Sequence, residues 1–199
     1  MSSRPEVAFS PEEQRGLLHL ARSAILAAFT GTAVKLPEPL PACFALRRGA
    51  FVTVHVYGKL RGCIGVIEGR DSLSEIIIHC AESAAFRDAR FSPLRPDEIA
   101  GLRIEISVLS ELFPLAPNEV EIGKHGLFIR SGHRQGLLLP QVAIEHALSP
   151  EAFLAETCHK AGLSHEAWRR SDTELFGFTC EIFQEEDSAN AAALRSGNR

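Results

Sequence analysis

The chain has 199 residues, 45% of them hydrophobic, which suits one globular domain or one domain with a small lobe. A net charge of −4 disfavours a general nucleic-acid binder, and no run of about eighteen apolar residues offers a membrane span. Five cysteines without a CxxC pair, behind an N-terminus without an apolar signal region, are typical of reduced thiols in the cytosol. We therefore expect a cytoplasmic protein that binds neither nucleic acid nor membranes.

Helices and strands alternate through the first half of the chain. Ser10-Pro11-Glu12-Glu13 is a capping box that opens a helix ending at Gly31, and Ser72-Leu73-Ser74-Glu75 opens a second helix. Between the two helices, CFAL, AFVTVHVY and LRGCIGVIE are separated by turn signals. This spacing predicts an antiparallel meander of strands.

The second half contains further strands and at least one helix. LRIEISVL alternates strictly, GLFIRSGHRQGLLL is typical of a hairpin that turns at Ser131-Gly132-His133, and LFGFTCEIF predicts the last strand. A helix begins at Ser149-Pro150. The whole pattern predicts the α+β class, with a mainly antiparallel sheet flanked by helices. We expect a flexible N-terminus over residues 1–9, one domain over 10–183, and a polar, weakly ordered tail over 184–199.

The stretch GKLRGCIG combines three glycines, two cations and a cysteine at a predicted turn and the strand that follows it. Strand glycines mark a bulge, or a place where a ligand or another backbone approaches closely. For Gly62 and Gly65 two alternatives stay open: helix-on-sheet packing, or a small anionic or planar ligand beside Arg61. A two-residue Gly58-Lys59 turn would pair Val54 with Cys63.

Cys63 is the candidate nucleophile of the chain. A thiol is activated by a neighbouring cation or helix end, and Arg61 is the nearest cation in the sequence. A base would come from Glu105 or from one of the histidines His55, His79, His125 and His159, among which the sequence does not choose. The structural alternative is that Cys63 is a small core hydrophobe and Glu105 a solvated or ion-paired strand residue.

Other polar side chains favour structural roles. Asp88 and Arg90 follow the second helix and predict a buried ion pair that pins this loop to the sheet. Adjacent helical residues point about 100° apart, so neither His79-Cys80 nor Cys158-His159 can easily present both groups to one ion. The sequence therefore predicts no metal site and no cofactor.

Several linked motifs resemble a single protein family. LRGCIG, AAFRDARFSPL, LRIEISVLS, GKHGLFIRSGHRQGLLLPQVAIE and FLAETCHKAGL are together similar to the AMME-chromosomal-region protein family. Its bacterial and archaeal members are called AmmeMemoRadiSam system protein A. The resemblance extends from about Ser10 to Phe183 and implies two unequal lobes, with LRGCIG close to the cleft between them. The residues that match the family pattern are Arg61, Gly62, Cys63, Gly65, Asp88, Arg90, Phe91, Pro140, Gln141 and Cys158.

The resemblance also implies partners, although it implies no known reaction. They are a Memo-like protein, itself similar to extradiol dioxygenases, and a radical-SAM protein. Our first hypothesis is a binding or accessory component of a small metabolic or modification system, which holds a ligand or partner segment at LRGCIG. The alternative is an enzyme that uses Cys63 for transfer or hydrolysis on a small substrate. The candidate ligand-binding residues are Arg61, Gly62, Cys63, Gly65, Arg90 and Gln141.

Overall fold

The computed structural model of the protein describes residues 8–186. The predicted flexible N-terminus, 1–9, and the predicted tail, 184–199, lie mainly outside this range. Of their described parts, Phe9 packs against Phe183, with ring centroids 5.9 Å apart. Glu185 accepts hydrogen bonds from the Nε and Nη2 of Arg22, both at 2.6 Å.

The described residues form helices and strands in mixed order. The helices are α1 (Pro11–Thr30), α2 (Leu73–Phe86), α3 (Pro140–Glu145) and α4 (Pro150–Lys160). The strands are β1 (Ala50–Val56), β2 (Lys59–Val66), β3 (Leu102–Leu109), β4 (Phe113–Pro114), β5 (Gly126–Ser131), β6 (Arg134–Leu138), β7 (Glu174–Phe178) and β8 (Cys180–Gln184). They build two four-stranded sheets, in the neighbour orders β2-β1-β3-β8 and β4-β7-β5-β6. The predicted α+β class with antiparallel pairing is confirmed.

The chain divides into two compact units. The first comprises the residues up to Val108 together with those from Ile182, and the second is Leu109–Glu181. In the first unit, α2 packs on β1 and β2, and the alternate residues of β1 and β3 that face the core are buried. The second unit has a core of its own, in which α4 packs on β5 and β6.

Local sequence signals place the ends of the long helices. The Ser10 and Ser72 hydroxyls accept the N–H groups of Glu13 and Glu75, whose carboxylates accept the serine N–H groups in return. Gly31 takes the left-handed conformation at the end of α1, with φ 66°. Both predicted capping boxes and the predicted end of α1 are confirmed.

Two predicted strands differ from the structure. CFAL is a short 3₁₀ helix, Ala42–Ala45, because neighbouring Cys43 and Phe44 are both buried, whereas a strand would turn one of them outward. LFGFTCEIF is split into β7 and β8, which belong to different sheets. The split falls at Thr179, whose N–H donates to Ser110 Oγ at 2.9 Å. Within residues 8–186, no helix is both long and apolar enough to span a membrane.

Candidate functional site

The β1–β2 hairpin positions every residue of the LRGCIG motif. Its turn is Tyr57-Gly58, where both residues have positive φ, 48° and 76°, as a two-residue type I′ turn requires. Along β2 the pairing with β1 moves directly from Leu60 to Gly62. Arg61 is therefore the extra residue of a β-bulge.

The observed register places Cys63 opposite Thr53, so the predicted pairing of Cys63 with Val54 is wrong. The turn lies one residue earlier than the predicted Gly58-Lys59 turn, and the bulge adds one residue to β2. A shift of one residue moves a side chain to the other face of the sheet. Cys63 consequently shares a face with Thr53, whereas Val54 is fully buried in the core of the unit.

Asp88 and Arg90 hold the main chain of Cys63 from the outer edge of the sheet. Asp88 Oδ2 accepts the Cys63 N–H at 2.9 Å, and Arg90 Nη2 donates to the Cys63 carbonyl at 3.2 Å. Arg90 also donates to Asp88 from Nε at 2.9 Å and from Nη2 at 2.7 Å. The Asp88 side chain is 5% exposed and that of Arg90 is 59% exposed. The predicted ion pair that pins this loop to the sheet is confirmed, but only its Asp88 side is buried, because the Arg90 side chain extends along the edge of the sheet into solvent.

We call the hydrogen bonds of Asp88 and Arg90 to the main chain of Cys63, together with their own ion pair, the clamp. The clamp also determines the charge of Asp88. Hydrogen bonds from the Arg90 guanidinium, followed by the main-chain N–H of Cys63, hold the pKa of Asp88 well below its usual range although burial opposes them. The carboxylate therefore stays ionised at neutral pH. Because β2 is an edge strand, the clamp also satisfies main-chain groups that would otherwise be open to pairing with another strand.

Cys63, Thr53 and Glu105 form one row across three strands. Both main-chain groups of Cys63 bond away from β1, so Cys63 and Thr53 are a non-hydrogen-bonded pair, whose side chains approach closely. Thr53 Oγ1 donates a hydrogen bond to Cys63 Sγ at 3.3 Å. On its other side Thr53 lies opposite Glu105 of β3. All three residues are half-buried, and we call them the Cys63–Thr53–Glu105 row.

In the described part of the chain, no catalytic base is hydrogen-bonded to the Cys63 thiol. Within residues 8–186, Thr53 is the only side chain that makes a hydrogen bond to Cys63 Sγ. Glu105 shares the row with the thiol without bonding to it. His55 lies on the same face, two residues along β1 from Thr53. The row therefore offers a fixed, half-exposed thiol beside a hydroxyl and a carboxylate, without a nucleophile–base pair.

Arg61 directs its guanidinium to a carboxylate of the first unit. Arg61 Nε and Nη2 donate to the two oxygens of Glu98 at 2.9 and 3.0 Å, and Nη1 donates to the Ser92 carbonyl at 3.0 Å. The side chains of Arg61 and Glu98 are 20% and 16% exposed. These hydrogen bonds raise the pKa of Arg61 and lower the pKa of Glu98. The positive charge thus neutralises Glu98, where the sequence suggested a cation for the Cys63 thiol.

Gly62 and Gly65 each make room for another part of the protein. A Cβ on Gly62 would lie 1.9 Å from the carbonyl oxygen of Ala84 in α2. A Cβ on Gly65 would lie 2.3 Å from the ring of Phe51 on the neighbouring strand. Of the two alternatives, helix-on-sheet packing accounts for Gly62, and an aromatic ring packed over the strand accounts for Gly65.

The part of the chain that the structure describes contains no group of three His, Cys, Asp or Glu side chains that could hold a metal ion. Cys80 is fully buried, and its burial raises the pKa of the thiol to about 12. Burial also raises the pKa of the Cys158 thiol. Both thiols stay protonated at neutral pH, which makes them poor metal ligands.

Comparison with known proteins places the chain in a family. The sequence model of the AMMECR1 family matches residues 18–183. The chain belongs to the AMMECR1 family. This match confirms the resemblance that the LRGCIG, DARF and LLPQ stretches indicate.

Relatives of this AMMECR1 protein occur in bacteria and archaea. A protein of Aquifex aeolicus is 40% identical over 181 residues, which cover 87% of this chain and 93% of the relative. A protein of Methanothermobacter thermautotrophicus is 40% identical over 185 residues, which cover 89% of this chain and 96% of the relative. The crystal structure of uncharacterized protein PH0010 from Pyrococcus horikoshii is similar with a TM-score of 0.80 and 38% identity, over 85% of this chain and 90% of that one. These names state no activity.

Two of the predicted site residues belong to the second unit of the AMMECR1 protein. His125 is buried, its Nδ1 accepts the Glu121 N–H at 3.2 Å, and its ring meets Phe113 edge-on with centroids 5.7 Å apart. Burial lowers the pKa of His125, so the ring is neutral at pH 7. Gln141 is the second residue of α3, and its Oε1 is buried without a hydrogen-bond partner in the described chain. The roles predicted for His125 and Gln141 stay predictions.

Sequence reasoning missed two residues that determine the chemistry around Cys63. The predicted register paired Cys63 with Val54 instead of Thr53, because it included neither the turn at Tyr57-Gly58 nor the bulge at Arg61. The Arg61-Gly62 dipeptide inside a strand was the available signal, since a strand glycine often marks a bulge. Glu98 is remote from Arg61 in sequence, and no local pattern joins the two.

Proposed function

We propose that this AMMECR1 protein is a cytosolic binding or accessory component that holds a ligand or a partner's segment at the LRGCIG motif. The binding surface is the half-exposed sheet face around the Cys63–Thr53–Glu105 row. The observation that carries the proposal is the double anchoring of Cys63: Asp88 and Arg90 fix its main chain, and Thr53 bonds its thiol. A side chain held in this way presents one geometry to whatever it contacts.

The arrangement suits binding because it is rigid before any ligand arrives. The row lies on three paired strands, and the loop that carries Asp88 is bonded to the edge of the sheet. Rigid polar groups lose little conformational freedom on binding, which increases affinity for a given set of contacts. The charges of Arg61 and Arg90 are already paired with Glu98 and Asp88.

Equilibrium dialysis tests the binding role. The full chain is dialysed against a small-molecule extract of its host cells, and the retained compounds are identified by mass spectrometry. Thr53→Trp fills the surface with a large ring, and Thr32→Trp places the same ring on an exposed loop residue as a control. The proposal expects a compound that wild type and Thr32→Trp retain and that a folded Thr53→Trp loses. Equal retention by all three proteins contradicts it.

The proposed partners follow from the family resemblance. We propose a Memo-like protein and a radical-SAM protein of the same host. Sedimentation of the purified proteins, alone and mixed, tests this association directly. The proposal expects a new, heavier species in at least one mixture. Unchanged sedimentation in every mixture contradicts it.

The second candidate function is a Cys63-dependent enzyme for transfer or hydrolysis on a small substrate. One observation favours it: the Cys63 thiol is half-exposed and accepts a hydrogen bond from Thr53 at 3.3 Å, which would also stabilise a thiolate. The lack of a base bonded to Sγ within residues 8–186 weighs against it. Intact-protein mass spectrometry during incubation with the extract tests it. An adduct on Cys63 that forms and then decays supports the enzyme, and an unchanged mass contradicts it.

A further inference from the structure

We propose that the Cys63–Thr53–Glu105 row binds the ammonium or guanidinium group of a small molecule. This inference rests on the proposed binding function and adds the chemical class of the ligand. It also reverses the charge that the sequence suggested, since Arg61 inside GKLRGCIG favoured an anionic ligand.

The reversal follows from the ion pairs around the motif. Arg61 is bonded to both oxygens of Glu98, and Arg90 is bonded to Asp88. Each of these guanidinium groups has a carboxylate partner at hydrogen-bond distance. The charge that remains within the row itself is the negative charge of Glu105.

The Glu105 carboxylate is available to accept hydrogen bonds from a ligand. It is half-buried on β3, and within residues 8–186 it makes no hydrogen bond or ion pair. A partly desolvated carboxylate gains most from a charged donor, because charge-assisted hydrogen bonds are about twice as strong as neutral ones. A primary ammonium supplies three N–H donors and a guanidinium supplies five.

The Thr53 hydroxyl of the row, like the Glu105 carboxylate, can accept a hydrogen bond from a cationic ligand. Thr53 gives its proton to Cys63 Sγ, so the lone pairs of Thr53 Oγ1 are left to accept. Thr53 and Glu105 lie opposite each other on adjacent strands. One cationic nitrogen can therefore donate to the carboxylate of Glu105 and to Oγ1 of Thr53 together.

The next row along the sheet carries basic groups. His55 lies opposite Arg103 on the same face, and Arg103 has interactions of its own. The positive charge of Arg103 repels a cation, so the place proposed for the ligand is the row of Glu105 and Thr53 rather than the row of His55 and Arg103. Three adjacent strands span about 10 Å, which suits the head group of a small molecule.

A half-buried carboxylate alone is not a site, and the chain offers a matched example. Glu82 of α2 is also half-buried and without a bonded partner in the described residues. It lies on a helix, outside the row of Thr53 and Cys63. Glu82→Gln is therefore the control for Glu105→Gln, because it removes a comparable charge from the same unit.

The test is a titration of the ¹⁵N-labelled full chain, followed by amide chemical shifts. The cationic probes are butylammonium and butylguanidinium, and the controls are butyrate and butanol at equal ionic strength. For probes of this size we expect a Kd on the order of 1–10 mM. The inference expects saturable shifts at the Thr53, Cys63 and Glu105 amides with both cations and none with the two controls.

Variants of Glu105 test whether the negative charge of this side chain binds the cations. Glu105→Gln should weaken binding of the cations about ten-fold or more, while Glu82→Gln leaves it unchanged. Glu105→Asp keeps the charge and serves where Glu105→Gln fails to fold; it should retain saturable binding. Failure of the cations to shift these amides, or equal affinity in a folded Glu105→Gln, overturns the inference.

Failure of the cationic ligand class can be distinguished from failure of the proposed binding function. Shifts at the same three amides with butanol or butyrate, unchanged by Glu105→Gln, would overturn the cationic class and leave a binding surface in place. Shifts with no probe, together with equal retention by wild type and Thr53→Trp in dialysis, would overturn both.

Discussion

Asp88 Oδ2 accepts the main-chain N–H of Cys63 at 2.9 Å, although the two residues are 25 positions apart in the sequence. This bond joins the loop after α2 to the edge of the sheet at the residue on which the LRGCIG motif is centred. Arg90 closes the clamp by bonding to both Asp88 and the Cys63 carbonyl. The position of the Cys63 main chain therefore depends on an ion pair.

Removal of the clamp should destabilise the fold. Asp88→Asn leaves one oxygen to accept and places amide protons near the donors of Arg90, so we expect a loss of about 2–3 kcal/mol in the free energy of unfolding. Urea unfolding at pH 7 measures it. Asp97→Asn is the control, because Asp97 pairs with Arg95 in an exposed position and should change stability little. Equal effects of the two substitutions would contradict this account.

The clamp should also make stability depend on acid pH. The pKa of Asp88 is lower in the folded state than in the unfolded chain, where it is about 3.9. Its contribution is therefore complete above about pH 5 and is lost as the pH falls toward the folded-state pKa. The deficit of Asp88→Asn relative to wild type should shrink between about pH 5 and pH 3 in urea unfolding. A deficit that stays constant over this range would count against the clamp.

Arg61 and Glu98 should be coupled energetically. Arg61→Ala leaves a half-buried carboxylate without its bidentate partner, and Glu98→Ala leaves the guanidinium with only the Ser92 carbonyl. A double-mutant cycle measured by urea unfolding should give a coupling of about 1–2 kcal/mol. The exposed pair Arg170–Asp172 is the control and should give no measurable coupling. Additive effects of Arg61→Ala and Glu98→Ala would refute the pairing.

Gly62 should be far less tolerant of a side chain than Gly31. Gly62→Ala drives a methyl group into the Ala84 carbonyl of α2 and should cost about 3 kcal/mol or more. Gly31→Ala meets open space and should cost about 1 kcal/mol, because its φ of 66° is unfavourable for a residue with a Cβ. Thermal and urea unfolding of both variants measure the difference. A cost at Gly62 no larger than at Gly31 would mean that helix packing does not explain this glycine.

The five cysteines should differ in their reactivity toward iodoacetamide. Cys63 and Cys180 are partly exposed, whereas Cys43, Cys80 and Cys158 are buried. Iodoacetamide should therefore alkylate Cys63 and Cys180 in the native protein, and the other three only on unfolding. Peptide mass spectrometry after timed labelling gives each rate, with Cys63→Ser to assign the signal. Protection of Cys63 until unfolding would show that its thiol belongs to the core.

Features that depend on neighbouring residues were predictable from the sequence. The capping boxes at Ser10 and Ser72 and the hairpin at Ser131-Gly132-His133 each involve residues within a few positions of one another, and all three were correctly predicted. The Asp88–Arg90 pair is also local, since its partners are two positions apart in the sequence.

Features that depend on distant contacts were not predictable. Tyr57 adopts positive φ although its residue type gives no such signal, and its N–H donates to the Gly101 carbonyl at 3.0 Å. A Cβ on Gly101 would lie 2.7 Å from the Tyr57 ring, so that glycine accommodates the tyrosine. The turn position therefore depends on a residue far along the chain. With the bulge at Arg61, it determines which side chain lies opposite Cys63.

The binding role is tested most directly by the compound that wild type retains in dialysis, measured again with Cys63→Ser. A binding surface needs the shape and charge of the row more than the nucleophilicity of the thiol. The account predicts that Cys63→Ser retains the compound at unchanged mass, while Thr53→Trp loses it. Conversion of the compound to a species of new mass by wild type, absent with Cys63→Ser, would contradict the binding role and establish an enzyme.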